Sequence, residues 1–310
     1  MRVERDYRDI GRAGGRRRVV TVGNFDGVHV GHRAVLAKAA RLAAERELEL
    51  AVLTFEPHPA EVLDPTAAAR RLTEPERKLE LLAAKDVELV LAQRFDSAFA
   101  RLDPERFARE VLAEALVAEI VIVGDNFRFG AGRTGDVQRL RELGAACGFE
   151  VAAHDLVSGD GRCISSSRIR DLVAAGDVAA AARLLGRPHR VAGTVVHGKG
   201  DGRRLGFPTA NLDHIRVLLP SGGIFAARCR IGARRGAAAV YVGQRPTLGH
   251  GDSVEAHLVD WSGDLYGRRL ELDLVDRVRE DRRFAGVEQL VAQMGRDVAR
   301  ARELLERADG

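Results

Sequence analysis

At Gly186-Arg187-Pro188 the texture of the chain changes, and that change constrains what it can fold into. Upstream, from Arg18 to about Leu185, short β-like runs alternate with helical stretches. The runs fall at residues 19–22, 49–54, 88–92, 120–124 and 149–153. Between them, Val35, Leu36, Ala39, Leu42 and Ala43 recur at helical spacing, as do Phe107, Val111, Leu112 and Ala115. Asp103-Pro104-Glu105 offers the second helix an N-cap and a first-turn proline. Alternation of this kind predicts an α/β domain, Rossmann-like, with a mostly parallel sheet covered by helices on both faces. Downstream, glycines and turn signals such as Pro220-Ser221-Gly222-Gly223 separate β-like runs at 191–196, 225–231, 237–242, 254–261 and 269–278. These predict a small antiparallel β-barrel. A C-terminal helix is expected over about 287–307, with Leu290, Val291, Met294, Val298 and Leu304 as its apolar positions. With 310 residues there is chain enough for two cores. No repeat or low-complexity linker intervenes, so the expected domains are 1–186 and 187–310.

Charge and cysteine usage narrow the classes. The 49 basic residues, all but four of them arginine, are interleaved with 45 acidic ones, for a net charge of +4. A nucleic-acid binder concentrates its basic residues on one face. This mixture reads instead as a solvated surface with some phosphate-binding arginines, and no nucleic-acid partner is expected. Cys147, Cys163 and Cys229 show no CxxC spacing, which argues against a disulfide framework or a zinc site and fits a reducing compartment. No apolar run approaches the roughly 20 residues that cross a bilayer. Residues 1–18 are charged and lack the apolar stretch of a secretory signal. The expected location is cytoplasmic, with no membrane partner.

Two glycine-rich segments carry the chemistry. Gly23-Asn24-Phe25-Asp26-Gly27-Val28-His29-Val30-Gly31-His32 follows a β run and opens a helix, the place where an open α/β sheet binds phosphates. Gly23, Gly27 and Gly31 let backbone approach a ligand. His32 falls in the first helical turn, whose free N–H groups attract anions. His29 and His32 can both donate to phosphate oxygens. The segment lacks the GK[ST] ending of a Walker A loop and is not GxGxxG, so hydride transfer is not indicated. As an alternative, it is a glycine-rich turn with two incidental histidines. The second segment runs from Gly198 through Lys199, Gly200, Asp201, Gly202, Arg203, Arg204, Leu205, Gly206 and Phe207 to Pro208-Thr209-Ala210-Asn211. Alone it would be a turn.

The first segment resembles the HxGH element of the nucleotidylyl transferase superfamily. A second element of type ISSTxxR is then expected, and Ile164-Ser165-Ser166-Ser167-Arg168-Ile169-Arg170 matches it, with Ser167 where Thr is common. Thr54-Phe55-Glu56-Pro57-His58-Pro59 and Gly124-Asp125-Asn126-Phe127-Arg128-Phe129-Gly130 are similar to elements of the bacterial bifunctional riboflavin kinase/FMN adenylyltransferases, also called FAD synthetases. The block from Gly202 to Asn211, with Val254-Glu255-Ala256-His257-Leu258-Val259-Asp260 and Asp264-Leu265-Tyr266-Gly267, resembles the kinase module of the same family. The resemblance covers roughly 18–307.

The resemblance implies two ATP-using reactions, riboflavin to FMN and FMN to FAD. It implies that Gly23, Phe25, Asp26, Gly27, His29, Gly31, His32, Ser166, Ser167 and Arg170 bind ATP in the first half, with His29, His32 and Arg170 acting in catalysis. Phe55, Pro57, His58, Asn126 and Phe127 would meet the flavin there. In the second half it implies ATP binding by Gly198, Gly200, Gly202, Arg203, Gly206 and Thr209, and Mg²⁺ held by Thr209 and Asn211. Glu255 would be the base, with Glu255, Arg279 and Phe284 on the flavin. Strand alternation sets Val254, Ala256 and Leu258 on one face and Glu255, His257 and Val259 on the other. Two places depart from the family pattern. Tyr241 stands where a small polar residue, often Asn, is usual, in Tyr241-Val242-Gly243-Gln244-Arg245-Pro246-Thr247. In Arg279-Glu280-Asp281-Arg282-Arg283-Phe284, Asp281 and Arg283 replace Glu and Lys.

Two other readings compete. A transferase acting on pantetheine phosphate or an alcohol phosphate accounts for 23–170 and leaves 208–211 and Glu255 unexplained. A nucleic-acid-binding protein without turnover predicts salt-sensitive binding and leaves both polar sets unexplained.

Overall fold

Strand Arg18–Val22 (β2) is buried along its whole length, as a parallel strand covered on both faces must be. The other strands of its sheet are Arg2–Glu4 (β1), Glu49–Glu56 (β3), Leu89–Arg94 (β4), Ala118–Gly124 (β5) and Glu150–His154 (β6). The computed structural model describes residues 1–10, 15–66, 70–154, 157–159, 161–198, 200–244 and 252–308. The chain divides into two compact units, Met1–Ala69 with Thr73–Ile164, and Arg70–Leu72 with Ser165–Gly310.

In the first unit all pairings of the six-stranded sheet are parallel, in the order β1-β4-β3-β2-β5-β6. Alternate residues feed opposite faces. Val20, Val22, Ala51, Leu53, Leu89, Leu91, Val121 and Val123 share one core cluster. Val19, Leu50, Val52, Val90, Ile120 and Ile122 share another. Val30–Glu45 (α1), through Leu36 and Ala39, and Pro75–Ala83 (α3), through Leu82, cover the second face. Between them lies the short helix Pro59–Leu63 (α2). The first face packs against Val137–Cys147 (α5) and the π-helical stretch Phe107–Ala115. That stretch continues Pro104–Arg106 (α4), where the Asp103 carboxylate accepts the Arg106 N–H as expected of an N-cap. Order reverses between β2 and β5, so the switch point lies at the carboxyl end of β2. A small hairpin, Ser158–Gly159 (β7) with Arg162–Cys163 (β8), follows the sheet.

The second unit opens with Ser166–Ala175 (α6) and Val178–Leu185 (α7), each stopped by a left-handed glycine, Gly176 at φ 79° and Gly186 at φ 67°. A closed barrel follows, in the order β10-β13-β12-β11-β14-β9. Its strands are His189–Val196 (β9), Ala210–Asp213 (β10), Gly223–Ile231 (β11), Arg234–Gln244 (β12), Asp252–Leu258 (β13) and Arg269–Glu280 (β14). A one-turn helix, Asp201–Arg204 (α8), sits between β9 and β10. Every pairing is antiparallel. The interior takes alternate residues, among them Val191, Phe225, Val240, Val254, Ala256 and Leu272, and Val178 of α7 joins the same cluster. Helix Val287–Arg307 (α9) lays Ala301 and Leu305 on Ala226 and Ala239 of the outer wall.

Some boundaries differ from the sequence expectation. The strand expected to reach residue 261 ends at Leu258. Asp260 turns the chain with φ 54°, and Val259 is buried instead of sharing the open face with Glu255. β1 and β10 were not expected. They are three and four residues long, too short to display a period. Among the described residues, no helix is long and apolar enough to cross a membrane.

Candidate active sites

Between the end of β2 and the start of α1 the chain makes a tight loop at the switch point. Phe25, Gly27 and Val28 are left-handed, with φ of 49°, 85° and 39°. Glycine adopts this freely, whereas Phe25 and Val28 each cost about 1–3 kcal/mol. Burial and hydrogen bonds hold them there. Phe25 and Val28 are almost wholly enclosed. The Thr73 N–H donates to Asp26 Oδ1 at 3.1 Å, and the Thr54 hydroxyl donates to the Asn24 carbonyl at 3.0 Å. Asp26 is thus buried and braces the loop.

His29 is the N-cap of α1. Its Nδ1 accepts the His32 N–H at 3.3 Å. A neutral ring accepting at Nδ1 carries its proton on Nε2, so His29 presents a donor from that side. The two imidazoles stack, with centroids 3.6 Å apart and planes at 17°, and Phe25 lies 5.0 Å from His32. Gly31 makes room for this. A Cβ there would stand 3.1 and 3.2 Å from His29 Cε1 and Nδ1. The expected histidine pair is therefore one unit, mounted where the α1 N–H groups converge.

Adjacent strand ends supply the residues expected on the flavin. His58 caps α2, its Nδ1 accepting the Ala60 N–H at 3.2 Å. Its Nε2 lies 3.2 Å from the Asn24 side-chain amide. The Asn24 atom at this distance is the amide nitrogen Nδ2, and the roles in the pair depend on which ring nitrogen of His58 carries the proton. His58 so ties the loop after Pro57 to the β2–α1 loop. Phe55 packs edge-on to Phe95 at 5.7 Å. Phe127 stacks on Phe129 at 5.6 Å, half-buried against the core, while Asn126 is exposed. Lys78 was not foreseen. Its buried ammonium donates to Thr54 Oγ1 at 3.3 Å and the Phe55 carbonyl at 3.2 Å, and lies 3.7 Å from Glu56 Oε2.

Ser166, Ser167 and Arg170 lie on α6 in the second unit. Ser165 is the N-cap, its hydroxyl accepting the Arg168 N–H at 3.2 Å, so Ser166 and Ser167 occupy the first turn. Arg170 Nε donates to the Arg70 carbonyl at 3.1 Å. The expected phosphate ligands therefore form two groups, one in each unit.

The barrel lines up the second set. Directly opposed residues run in a row across five strands: Asn211 with Glu255, Glu255 with Tyr241, Tyr241 with Ile224, and Ile224 with Arg279. Opposed residues share a face, and Val254 and Ala256 fill the interior, so the row faces outward. Its members Glu255, Tyr241, Ile224 and Arg279 line a cavity of about 330 Å³, together with Gly202, Thr209 and Phe284. The Thr209 hydroxyl donates to Glu255 Oε2 at 3.2 Å. Two glycines let the preceding loop close on this corner. A Cβ at Gly198 would come within 2.6 Å of Asn211 Cγ, and one at Gly202 within 3.0 Å of Thr209 Oγ1. Gly200 and Gly206 take left-handed φ of 75° and 83°, and Arg203 sits between them on α8. Lys199, and Arg245, Pro246 and Thr247, lie outside the described residues.

At the far end of the row Arg279 makes a two-pronged ion pair with Asp297 of α9, at 3.0 Å from Nε to Oδ1 and 2.8 Å from Nη2 to Oδ2. Gln293 Nε2 donates to the same carboxylate at 2.7 Å. Asp297, only 4% exposed, was missed. The signal was present, since an acid at 297 interrupts the apolar stripe of Leu290, Met294 and Val298. Arg279 and Arg282 flank the Phe284 ring at 5.5 and 4.8 Å.

Comparison with known proteins agrees with both halves. Residues 12–168 match the family model for FAD synthetase, and residues 185–305 the one for riboflavin kinase. A bifunctional riboflavin kinase/FMN adenylyltransferase of Escherichia coli is 40% identical over 287 residues, covering 92% of each chain. Its counterpart from Pseudomonas fluorescens is 39% identical over 288 residues, again with 92% of each chain covered. A crystal structure from Streptococcus pneumoniae, described as a macrolide-efflux protein, superposes with a TM-score of 0.87 at 30% identity, covering 97% of this chain and 98% of that one. The chain belongs to the family of bifunctional riboflavin kinase/FMN adenylyltransferases.

Proposed function

We propose that this enzyme makes FAD in two ATP-dependent steps at two sites. The barrel transfers the γ-phosphoryl group of ATP to riboflavin, giving FMN and ADP. The site built on the parallel sheet joins FMN to the adenylyl group of a second ATP, giving FAD and pyrophosphate. The functional modules are 187–310 and 1–186, and the enzyme works in the cytoplasm without nucleic-acid or membrane partners.

The observation that carries this reading is the corner of the barrel cavity where Glu255 meets Thr209 and stands opposite Asn211. The ribityl hydroxyl of riboflavin is neutral, with a pKa far above 7. Its proton must leave as the oxygen–phosphorus bond forms and the bond from Pγ to ADP breaks. Glu255 takes that proton. Thr209 and Asn211 offer a hydroxyl and an amide oxygen, hard donors that suit Mg²⁺. When bound, the ion offsets phosphate charge. Gly198, Gly200, Gly202 and Gly206 give the loop the shape to cover the ATP phosphates, with Arg203 beside them. Arg279 and Phe284 take the flavin side.

Adenylyl transfer needs no base, because the FMN phosphate is already ionised. A phosphate oxygen attacks Pα and pyrophosphate leaves. Positioning and charge stabilisation do the rest. His29 donates through Nε2, His32 stands beside it, and the α1 N-terminus adds N–H groups. Ser166, Ser167 and Arg170, at the start of α6, are assigned to ATP binding as well, and Gly23, Phe25, Asp26, Gly27 and Gly31 shape the β2–α1 loop. Phe55, Pro57, His58, Asn126 and Phe127 receive the flavin. The test is incubation with riboflavin, ATP and Mg²⁺, followed by chromatography of the flavins. FMN and then FAD are expected. Riboflavin left unchanged would overturn the reading.

A further inference from the structure

The two places where this chain departs from its family's pattern meet in the structure. The Tyr241 hydroxyl donates to Asp281 Oδ2 at 3.2 Å. Tyr241 stands in the row between Glu255 and Ile224, and both partners line the cavity. The Tyr241 ring lies back over Gly243, where a Cβ would collide with it, so glycine two residues along the strand gives the ring its place. The other Asp281 oxygen, Oδ1, accepts the Arg282 N–H at 2.8 Å, which aims Oδ2 at Tyr241. Burial, then the charges of Asp281 and Glu255, hold the Tyr241 phenol above its ordinary value, so it keeps the proton it donates.

Asp281 opens the stretch from β14 to α9 that carries Arg282 and Phe284, both on the cavity. Besides Arg282, whose Nη2 donates to Gln293 Oε1 of α9, two tethers among the described residues frame that stretch. One is the Arg279–Asp297 pair, closed off from solvent at Asp297. The other is the Tyr241–Asp281 bond, open to solvent at its Asp281 end. A buried two-pronged pair is the fixed side, and a single solvent-exposed hydrogen bond is the side that can part.

We propose that the Tyr241–Asp281 hydrogen bond is the latch of the riboflavin cavity. Made, it holds the 281–284 wall against the barrel and retains the flavin; parted, it admits riboflavin and releases FMN. This rests on the kinase reading of the cavity. Tyr241 is a positioning residue, and proton transfer stays with Glu255.

The test is a double-mutant cycle with Tyr241→Phe and Asp281→Ala in the full chain, assayed for riboflavin KM, ATP KM and kcat. Loss of one such bond should raise the riboflavin KM about fivefold, with ATP KM unchanged and kcat no lower. The double variant should match the single ones, because both remove the same bond. Riboflavin fluorescence quenching should show the same loss of affinity, and urea unfolding followed by Trp261 fluorescence checks that the barrel of each variant is folded. Additive effects, an unshifted riboflavin KM, or equal losses in ATP KM and kcat would overturn the latch. A parent enzyme that leaves riboflavin unphosphorylated would overturn the kinase reading itself, whereas an active parent with a silent Tyr241→Phe sinks the latch alone.

Discussion

His29 spends Nδ1 on capping α1, and that decides which of its nitrogens can face a phosphate. In the proposed reaction chemistry and folding share the residue, so replacing it would disturb both. His32 separates them better, because its backbone N–H, not its ring, makes the capping bond. Replacing His32 with Ala should lower FAD formation about a hundredfold, the scale of one preorganised donor, while FMN formation persists. Normal FAD output from that variant would remove His32 from the site. The histidine pair was legible in the sequence because its glycine-flanked spacing is local. Lys78 was not, since it reaches the β3 end only through the fold. Cysteine reactivity follows burial in the same way. Burial pushes the Cys229 thiol up to about 11, whereas Cys147 and Cys163 are half-buried. At pH 8, alkylation of the native protein should label Cys147 and Cys163 and spare Cys229 until urea is added, as mass spectrometry of peptides would show.

Among the elements, α9 shows what a helical pattern reveals and conceals. Its limits, 287–307, were readable from apolar spacing. Its polar anchor was not, because Asp297 counts as a break in that pattern until Arg279 is placed beside it. Breaking a buried pair by deleting one partner leaves the other charge uncompensated. Asp297→Ala should therefore destabilise the barrel by about 3 kcal/mol, the lower end of the range for such losses. Asp297→Asn should cost less, since an amide oxygen still accepts from Arg279. Urea unfolding followed by fluorescence of Trp261, the chain's one tryptophan, reads this unit directly. Equal stability in all three proteins would mean that apolar contacts alone dock α9. The short strands β1 and β10 escaped the sequence for a different reason. A three- or four-residue strand is set by its partners, and Ala210-Asn211 reads as a loop until β13 and β9 pair with it.

At the scale of the molecule, the change of texture at Gly186 marks where the barrel strands begin, while the compact units part between Ile164 and Ser165. The family models leave 169–184 outside both matches. Helices α6 and α7 fold with the barrel. Val178 enters its core, and Arg277 Nη2 donates to the Ala175 carbonyl at 3.0 Å. Periodicity could not assign them, because an amphipathic helix looks alike whichever sheet it covers. Fragments 187–310 and 165–310 should both make FMN and no FAD, with the longer one melting higher by circular dichroism. Equal melting points would mean that α6 and α7 add nothing to the barrel.

The central claim is that one chain holds two phosphate chemistries, of which only one needs a base. Glu255→Gln keeps the side-chain size and removes the carboxylate. Flavin chromatography of this variant, supplied first with riboflavin and then with FMN, should show phosphorylation reduced about a hundredfold or more, with adenylylation near the parent rate. Equal loss of both reactions, or of neither, would contradict the account.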